Sequence, residues 1–240
     1  MRFFCLGLLF LIPHFSLYAS PIPHEVKTAL MQEIRDFSAL QVMPNYIKLK
    51  PSHKKQTYQA LIGAYMFYIS DDGKFVIRDN YLASQHAQSL SERKKRAIRL
   101  NALKTLNENS MIIFTPQHIK HTITAFIDIK QNSFNTLHHH LNKLLKMGVK
   151  VRYLVAPSNS VTTRQHQKVM AIWCAHNRKK ALKTVIKRQK IRTKKCYHPI
   201  TAHHSVAASL GIKDTSIILD TGQLYKSVPT MNKLLSALRQ

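Results

Sequence analysis

A chain of 240 residues and 27.6 kDa has room for one medium domain or two small ones, and a 45% hydrophobic composition is ample for packed cores. With only 6 Gly and 9 Pro, this composition excludes a collagen-like or disordered chain. Lys and Arg number 37 against 11 Asp and Glu, a formal net charge of +26, so the folded protein meets anionic surfaces wherever it works.

At the N-terminus, Arg2 precedes the apolar run Phe3 to Ile12, which fades through Pro13 and Ser16 to Ala19 and Ser20. A basic start, an apolar stretch short for a bilayer span and small residues at the cut predict a cleaved secretory signal over residues 1–19. The alternative is an uncleaved anchor, since Leu17 is large for the third position before the cut. A signal of this kind, without cysteine-rich modules, points to a bacterial periplasm. Cleavage removes Cys5 and leaves Cys174 and Cys196, which can form one bridge or remain two thiols. A bridge across the 22 positions from 174 to 196 stabilises by about 3 kcal/mol through loop closure.

Val26, Leu30, Ile34 and Phe37 recur at helical spacing, and Tyr46 to Lys50 and Ala64 to Ile69 read as strands. Ser70-Asp71-Asp72-Gly73 is turn chemistry, with Lys74 to Arg78 as the returning strand. Residues 20–84 thus form a small α+β unit with a sheet edge to cover. Residues 88–108 hold no Gly or Pro and place Leu90, Ile98, Ala102 and Leu106 along one face, which predicts a largely solvated connecting helix within a linker over 85–108. Further on, Met111 to Phe114 and His121 to Asp128 read as strands, Ser133 to Met147 as a helix closed by Gly148, and Val149 to Val155 as a buried strand. Helical patterns follow at 161–188 and 200–210. Strand Ser216 to Asp220, the Thr221-Gly222 turn, a short strand Gln223 to Tyr225 and a last helix from Thr230 complete the chain. A βαβ unit, a helical insertion and a ββα unit give residues 109–240 the thioredoxin topology, so the fold class is α/β with a smaller α+β domain.

Four segments, SDDGKFVIRDN at 70–80, LKMGVKVRYLVAP at 145–157, MAIWCA at 170–175 and LGIKDTSIIL at 210–219, resemble in order and spacing the bacterial periplasmic thiol:disulfide isomerases of the DsbC/DsbG family. The resemblance implies an N-terminal dimerisation domain, a linker helix and a C-terminal thioredoxin-like domain in a V-shaped homodimer with an apolar cleft. It also implies that Cys174 and Cys196 form a structural disulfide. The family carries a Cys-x-x-Cys dithiol at the start of the helix after the FIDIK-like strand end, where the helix dipole favours thiolate. Here that place holds Gln131, Asn132, Ser133 and Phe134, with Gln131 and Phe134 on the two cysteine positions. A carboxamide cannot attack a disulfide, and Ser133 has no evident base. The family's Thr and cis-proline pair is Thr215-Ser216 here, for which a trans bond is the default.

Residues 178–195 hold Arg178, Lys179, Lys180, Lys183, Lys187, Arg188, Lys190, Arg192, Lys194 and Lys195 and no acid, a candidate surface for an anionic partner; a periplasmic setting makes nucleic acid an unexpected one. The 14 histidines include His118, His121, the run His138-His139-His140 and His203-His204, without the Cys or acidic spacing of a metal site. They can titrate between about pH 7 and 5. No metal or cofactor is expected. The expected function is a non-redox homodimer that binds unfolded or assembling envelope proteins as a chaperone or assembly factor. The alternatives are a residual thiol-disulfide oxidoreductase using Cys174 and Cys196, and an anion-binding envelope protein.

Overall fold

The computed structural model describes residues 22–36, 49–54, 56–82, 88, 90–156, 163–192, 196 and 198–239. The signal over 1–19, Phe37, strand positions 46–48, the helix start at 161–162, and Lys194 and Lys195 lie outside the described residues.

In the N-terminal part, helix α1 (His24–Asp36) lies on a four-stranded antiparallel sheet of β1 (Leu49–Pro51), β2 (Thr57–Ile62), β3 (Tyr65–Ser70) and β4 (Val76–Asn80), in that order. Val26, Leu30 and Ile34 come one turn apart on α1 and close over Ala60, Ile62, Phe67 and Ile69. The returning strand begins two residues later than its alternation suggests, because the turn reaches through Phe75. Asp72 accepts from Ser70 Oγ (2.6 Å) and from the Lys74 backbone N–H (3.0 Å), while Ser70 Oγ also accepts from the Phe75 N–H. Gly73 sits at φ +69°, where an added Cβ would lie 2.7 Å from the Glu25 carbonyl oxygen. Strand β2 is absent from the sequence-based expectation. Tyr58, Ala60 and Ile62 do alternate toward α1, but its turn to β3 is the weak Gly63-Ala64 pair.

The C-terminal part is a five-stranded sheet of order β5-β7-β6-β8-β9, built from β5 (Ile112–Phe114), β6 (His121–Ile127), β7 (Val149–Val155), β8 (Ser216–Leu219) and β9 (Leu224–Tyr225). β6 and β7 are parallel, and the other neighbours are antiparallel. The crossover between β6 and β7 and the β8–β9 hairpin that follows give the thioredoxin-like fold. One face of the sheet is covered by α3 (Asn132–His139), α4 (Leu141–Lys146), α5 (Thr163–Trp173), α6 (Arg178–Ile186) and α8 (Met231–Leu238), with Phe134, Leu144, Trp173, Leu182 and Leu234 in one core. The other face takes α2 (Glu92–Lys104) and α7 (Ile200–Ser209), whose Ile98, Ala102, Val206 and Ala207 pack on Phe126, Leu154 and Ile218.

Three helices differ from their sequence periodicity. The connecting helix is shorter, starting at the Ser91 cap, and its sparse apolar stripe is docked on the sheet rather than held free. Gly222 makes this close approach feasible: at φ +78°, an added Cβ would meet the Arg96 carbonyl oxygen at 2.5 Å. The helix drawn over 133–147 is divided at His140, and the pattern at 161–188 at residues 174–177, where Asn177 caps a new helix by accepting from the Lys180 N–H (2.9 Å). Neither break contains Gly or Pro, so periodicity alone runs through both.

Candidate functional site

Strand β6 delivers its chain to the start of α3, and the segment entering β8 lies beside it. Two short loops are thereby knitted together. The Asp128 backbone N–H donates to Thr215 Oγ1 (3.1 Å), and the Lys130 N–H donates to the Asp128 carboxylate (3.0 Å). Gln131, the residue before α3, does not cap its helix. Its side-chain amide instead donates to the Asp214 carboxylate (2.9 Å), and its carbonyl oxygen accepts from the Thr215 N–H (3.2 Å) and from Ser133 Oγ (3.2 Å). A carboxylate only accepts and a backbone N–H only donates, so these partners fix which way the amide points. Ser216 Oγ donates to the Asp214 carbonyl (3.0 Å), and no described peptide bond is cis, the Thr215–Ser216 bond included.

The four residues 131–134 divide into two roles. Gln131, Asn132 and Ser133 stand at the open end of the helix, whereas Phe134 is fully buried against Tyr153 (ring centroids 5.9 Å) and His138 (5.7 Å). Burial pushes the Tyr153 hydroxyl well above its ordinary range and lowers the pKa of His138. The Ser133 hydroxyl has an amide oxygen as its acceptor, which is no base for nucleophilic chemistry. Sequence reasoning named Thr215 but missed Asp214, the acid that ties the two loops through Gln131, and Asp128, whose backbone N–H reaches Thr215; only the chain reversal that brings β8 beside β6 reveals them.

Cys174 and Cys196 form a disulfide with a Cα–Cα distance of 5.7 Å. Cys174 lies one residue past α5 rather than inside a helix, although its N–H still reaches the Met170 carbonyl (2.8 Å). Trp173 before it is buried and donates through Nε1 to the Ser110 carbonyl (3.1 Å). The sequence contains no Cys-x-x-Cys, its cysteines being at 5, 174 and 196.

The basic segment is not uniform. Arg178 turns inward: its Nε donates to the Trp173 carbonyl (2.9 Å) and its guanidinium reaches the Asn109 and Met111 carbonyls, so it is a structural clamp. Lys179 stands 5.5 Å over the Phe114 ring, while Lys180, Lys183, Lys187, Arg188, Lys190 and Arg192 are exposed. The histidines also disperse. His121 bonds Asp220 (3.2 Å), His138 joins the Phe134 cluster, and His139 and His140 stack edgewise (5.4 Å). His203 is buried, but His204 comes beside a cavity with His166, and the His166 ring contacts that of His198, a grouping with no sequence signal. Among the described residues no group of His, Cys, Asp or Glu could hold a metal ion, and no helix is long and apolar enough to cross a membrane.

No family model matches the chain. The thiol:disulfide interchange protein DsbC of Escherichia coli (strain K12) is 31% identical over 161 residues, which cover 66% of this chain and 66% of that protein, just under two thirds of its length. The chain belongs to the DsbC/DsbG family. DsbC of Salmonella typhimurium is 27% identical over 205 residues, 85% of this chain and 83% of that protein. Among solved structures, a disulfide interchange protein from Neisseria gonorrhoeae is 18% identical, covers 56% of this chain and 96% of that one, and superposes with a TM-score of 0.49. In this chain the segment joining β6 to α3 carries Gln131, and Phe134 lies inside α3.

Proposed function

We propose that this chain is a DsbC/DsbG-family protein that works without a redox dithiol, as a periplasmic homodimer that binds unfolded or assembling envelope proteins. The observation that carries the reading is the Gln131 carboxamide, which bonds Asp214 and Thr215 at the helix start where the family resemblance places an attacking thiol. An amide so held supplies no sulfur for exchange. Buried Phe134 contributes apolar packing in place of a resolving thiol.

In this reading residues 20–84 are the dimerisation domain, 85–108 the linker and 109–240 the thioredoxin-like domain. The outer face of the N-terminal sheet supports it. Leu61 and Ile77 are exposed on its strands and Phe75 in the turn before β4, at 38%, 64% and 70%, and among the described residues β4 is an edge strand, apolar features that a second copy would cover. Family membership favours the periplasm, as does the expected signal.

The test is turnover of a scrambled-disulfide substrate alongside suppression of aggregation by an unfolding protein. Suppression without turnover is expected. Turnover that disappears in Cys174→Ser would instead establish the residual oxidoreductase. A second reading, binding to an anionic surface, draws on the exposed lysines and arginines of α6 and the segment after it. Salt-sensitive retention on anionic vesicles, lost when Lys180, Lys183 and Lys187 become Gln, is its signature.

A further inference from the structure

The C-terminal ends of β6 and β7, next to the Gln131 loop, frame a cavity of about 40 Å³ with a floor of Ile127, Ile129, Val155, Val169 and Ile200. Its walls come from α5 and α7, and they carry imidazoles. His204 on α7 lines the cavity, as does His166 on α5, and the His166 ring meets that of His198 edgewise at 6.2 Å. His204 is hydrogen-bonded to the backbone of Ala156. The Ala156 N–H is already given to Ile127, so the His204 Nδ1–H donates to the Ala156 carbonyl and Nε2 is left as a bare lone pair. That Nε2 is shut off from solvent with no hydrogen-bond partner, and so is His198 Nδ1.

We propose that His204, flanked by the imidazoles of His166 and His198, works as an acid-operated gate over this apolar floor, and that a proton on His204 parts α5 from α7 to expose a binding surface for apolar segments of unfolded polypeptides. The proposal rests on the protein-binding function proposed above and assigns that function its regulation.

The physical reason is the absence of compensation for a new charge. A proton on His204 Nε2 creates a buried donor without an acceptor. Nitrogen groups rather than acceptor oxygens surround it: the imidazoles of His166 from α5 and of His198 from the segment before α7, and Lys130 from the β6–α3 loop, which also lines the cavity. His203, next on α7, points away to Ser110 and Val155. Lys168 on α5 is exposed. Among the described residues Asp128 is the one acid lining the cavity, and its carboxylate is engaged by the Lys130 backbone N–H. Burial, then the neighbouring His166 and His198, lower the His204 pKa against the favourable Ala156 bond. The closed arrangement is therefore favoured above the ordinary imidazole range and weakens as pH falls below it. The Cys174–Cys196 bridge joins the end of α5 to the approach to α7, so the two helices can part without separating fully.

The experiment uses the intact mature protein, an environment-sensitive apolar dye and, as client, permanently unfolded carboxymethylated lactalbumin, between about pH 7.5 and about pH 5.5. Dye fluorescence and client capture should both rise several-fold on acidification, with the near-ultraviolet circular dichroism of the fold retained. His204→Asn keeps a donor for Ala156 but cannot titrate, and should abolish both rises. His166→Gln, at an exposed position that folding tolerates, should shrink them. Equal capture at both pH values overturns the gate and leaves the protein-binding function standing. A dye rise without capture overturns the client assignment and the protein-binding function together, and a rise that persists in both variants overturns the role of the histidines.

Discussion

His203 shows how a single buried side chain ties this fold to pH. Its Nδ1 accepts from the Val155 N–H (3.3 Å) and its Nε2 faces Ser110 Oγ (3.2 Å), which sets the neutral tautomer with the proton on Nε2. Burial, with smaller contributions from His204 and Arg178, pushes its pKa from 6.5 down to about 3. The folded state thus refuses a proton that the unfolded chain accepts. The resulting stability is fully present above about pH 6.5 and is lost as pH falls toward 3, at about 1.4 kcal/mol per pH unit from this group. His203→Gln should be less stable at neutral pH yet show a shallower acid slope. Urea unfolding at a series of pH values measures this, and parallel slopes for the two proteins would refute it. Gln131 illustrates the opposite case, a half-buried polar residue whose two partners across the loops, Asp214 and Thr215, lie more than 80 positions away.

Among the elements, the junction of α5 and α6 carries the most information. Trp173, Cys174, Asn177 and Arg178 follow one another closely, and they do four different things. Trp173 packs in the core and bonds Ser110, Cys174 makes the bridge, Asn177 caps α6, and Arg178 clamps loop 109–111. The disulfide therefore anchors a helix pair, not a reactive loop. Reduction should lower Tm by roughly 6 to 12 °C, from loop-closure stabilisation of about 3 kcal/mol in a domain of this size. Thermal melts with and without reductant test it, and unchanged Tm after complete alkylation of both thiols would mean that the bridge carries no load. Strand β4 poses a different problem at this scale. It is an edge strand with Ile77 on its outward face, paired across from Tyr68, so its own sheet leaves that side chain uncovered.

For the whole molecule, the question these features pose is assembly. If a second copy covers the outer face of the N-terminal sheet, Ile77→Lys should convert a dimer into a monomer at micromolar concentration without unfolding it, because the side chain is already in water in the single chain. Multi-angle light scattering reads the outcome, and a monomeric parent protein, or a variant that stays dimeric, would sink the arrangement. The parent dimer should survive high salt: an interface of apolar burial and strand pairing gains nothing from charges that salt screens. The net charge of +26 acts elsewhere, keeping like-charged copies apart except where apolar surface outweighs repulsion.

The periodic elements, the α/β character and the thioredoxin order of the C-terminal strands were legible in the residues alone, since alternation and helical spacing report directly which face of each segment is apolar. The resemblance likewise implied that Gln131 and Phe134 stand at the family's cysteine positions, a matter of residue identity. The rest emerges only from the folded chain. Strand β2 escaped because its turn lacks the usual chemistry, and the breaks at His140 and at 174–177 escaped because a cap such as Asn177 interrupts a helix without disturbing its hydrophobic rhythm. The docking of α2 depends on how closely Arg96 approaches Gly222, 126 positions later, and the partners of Gln131 and His204 depend on which loops the sheet order makes neighbours. Local patterns fix what a segment can bury, whereas hydrogen-bond partners between distant segments exist only after the chain has closed on itself.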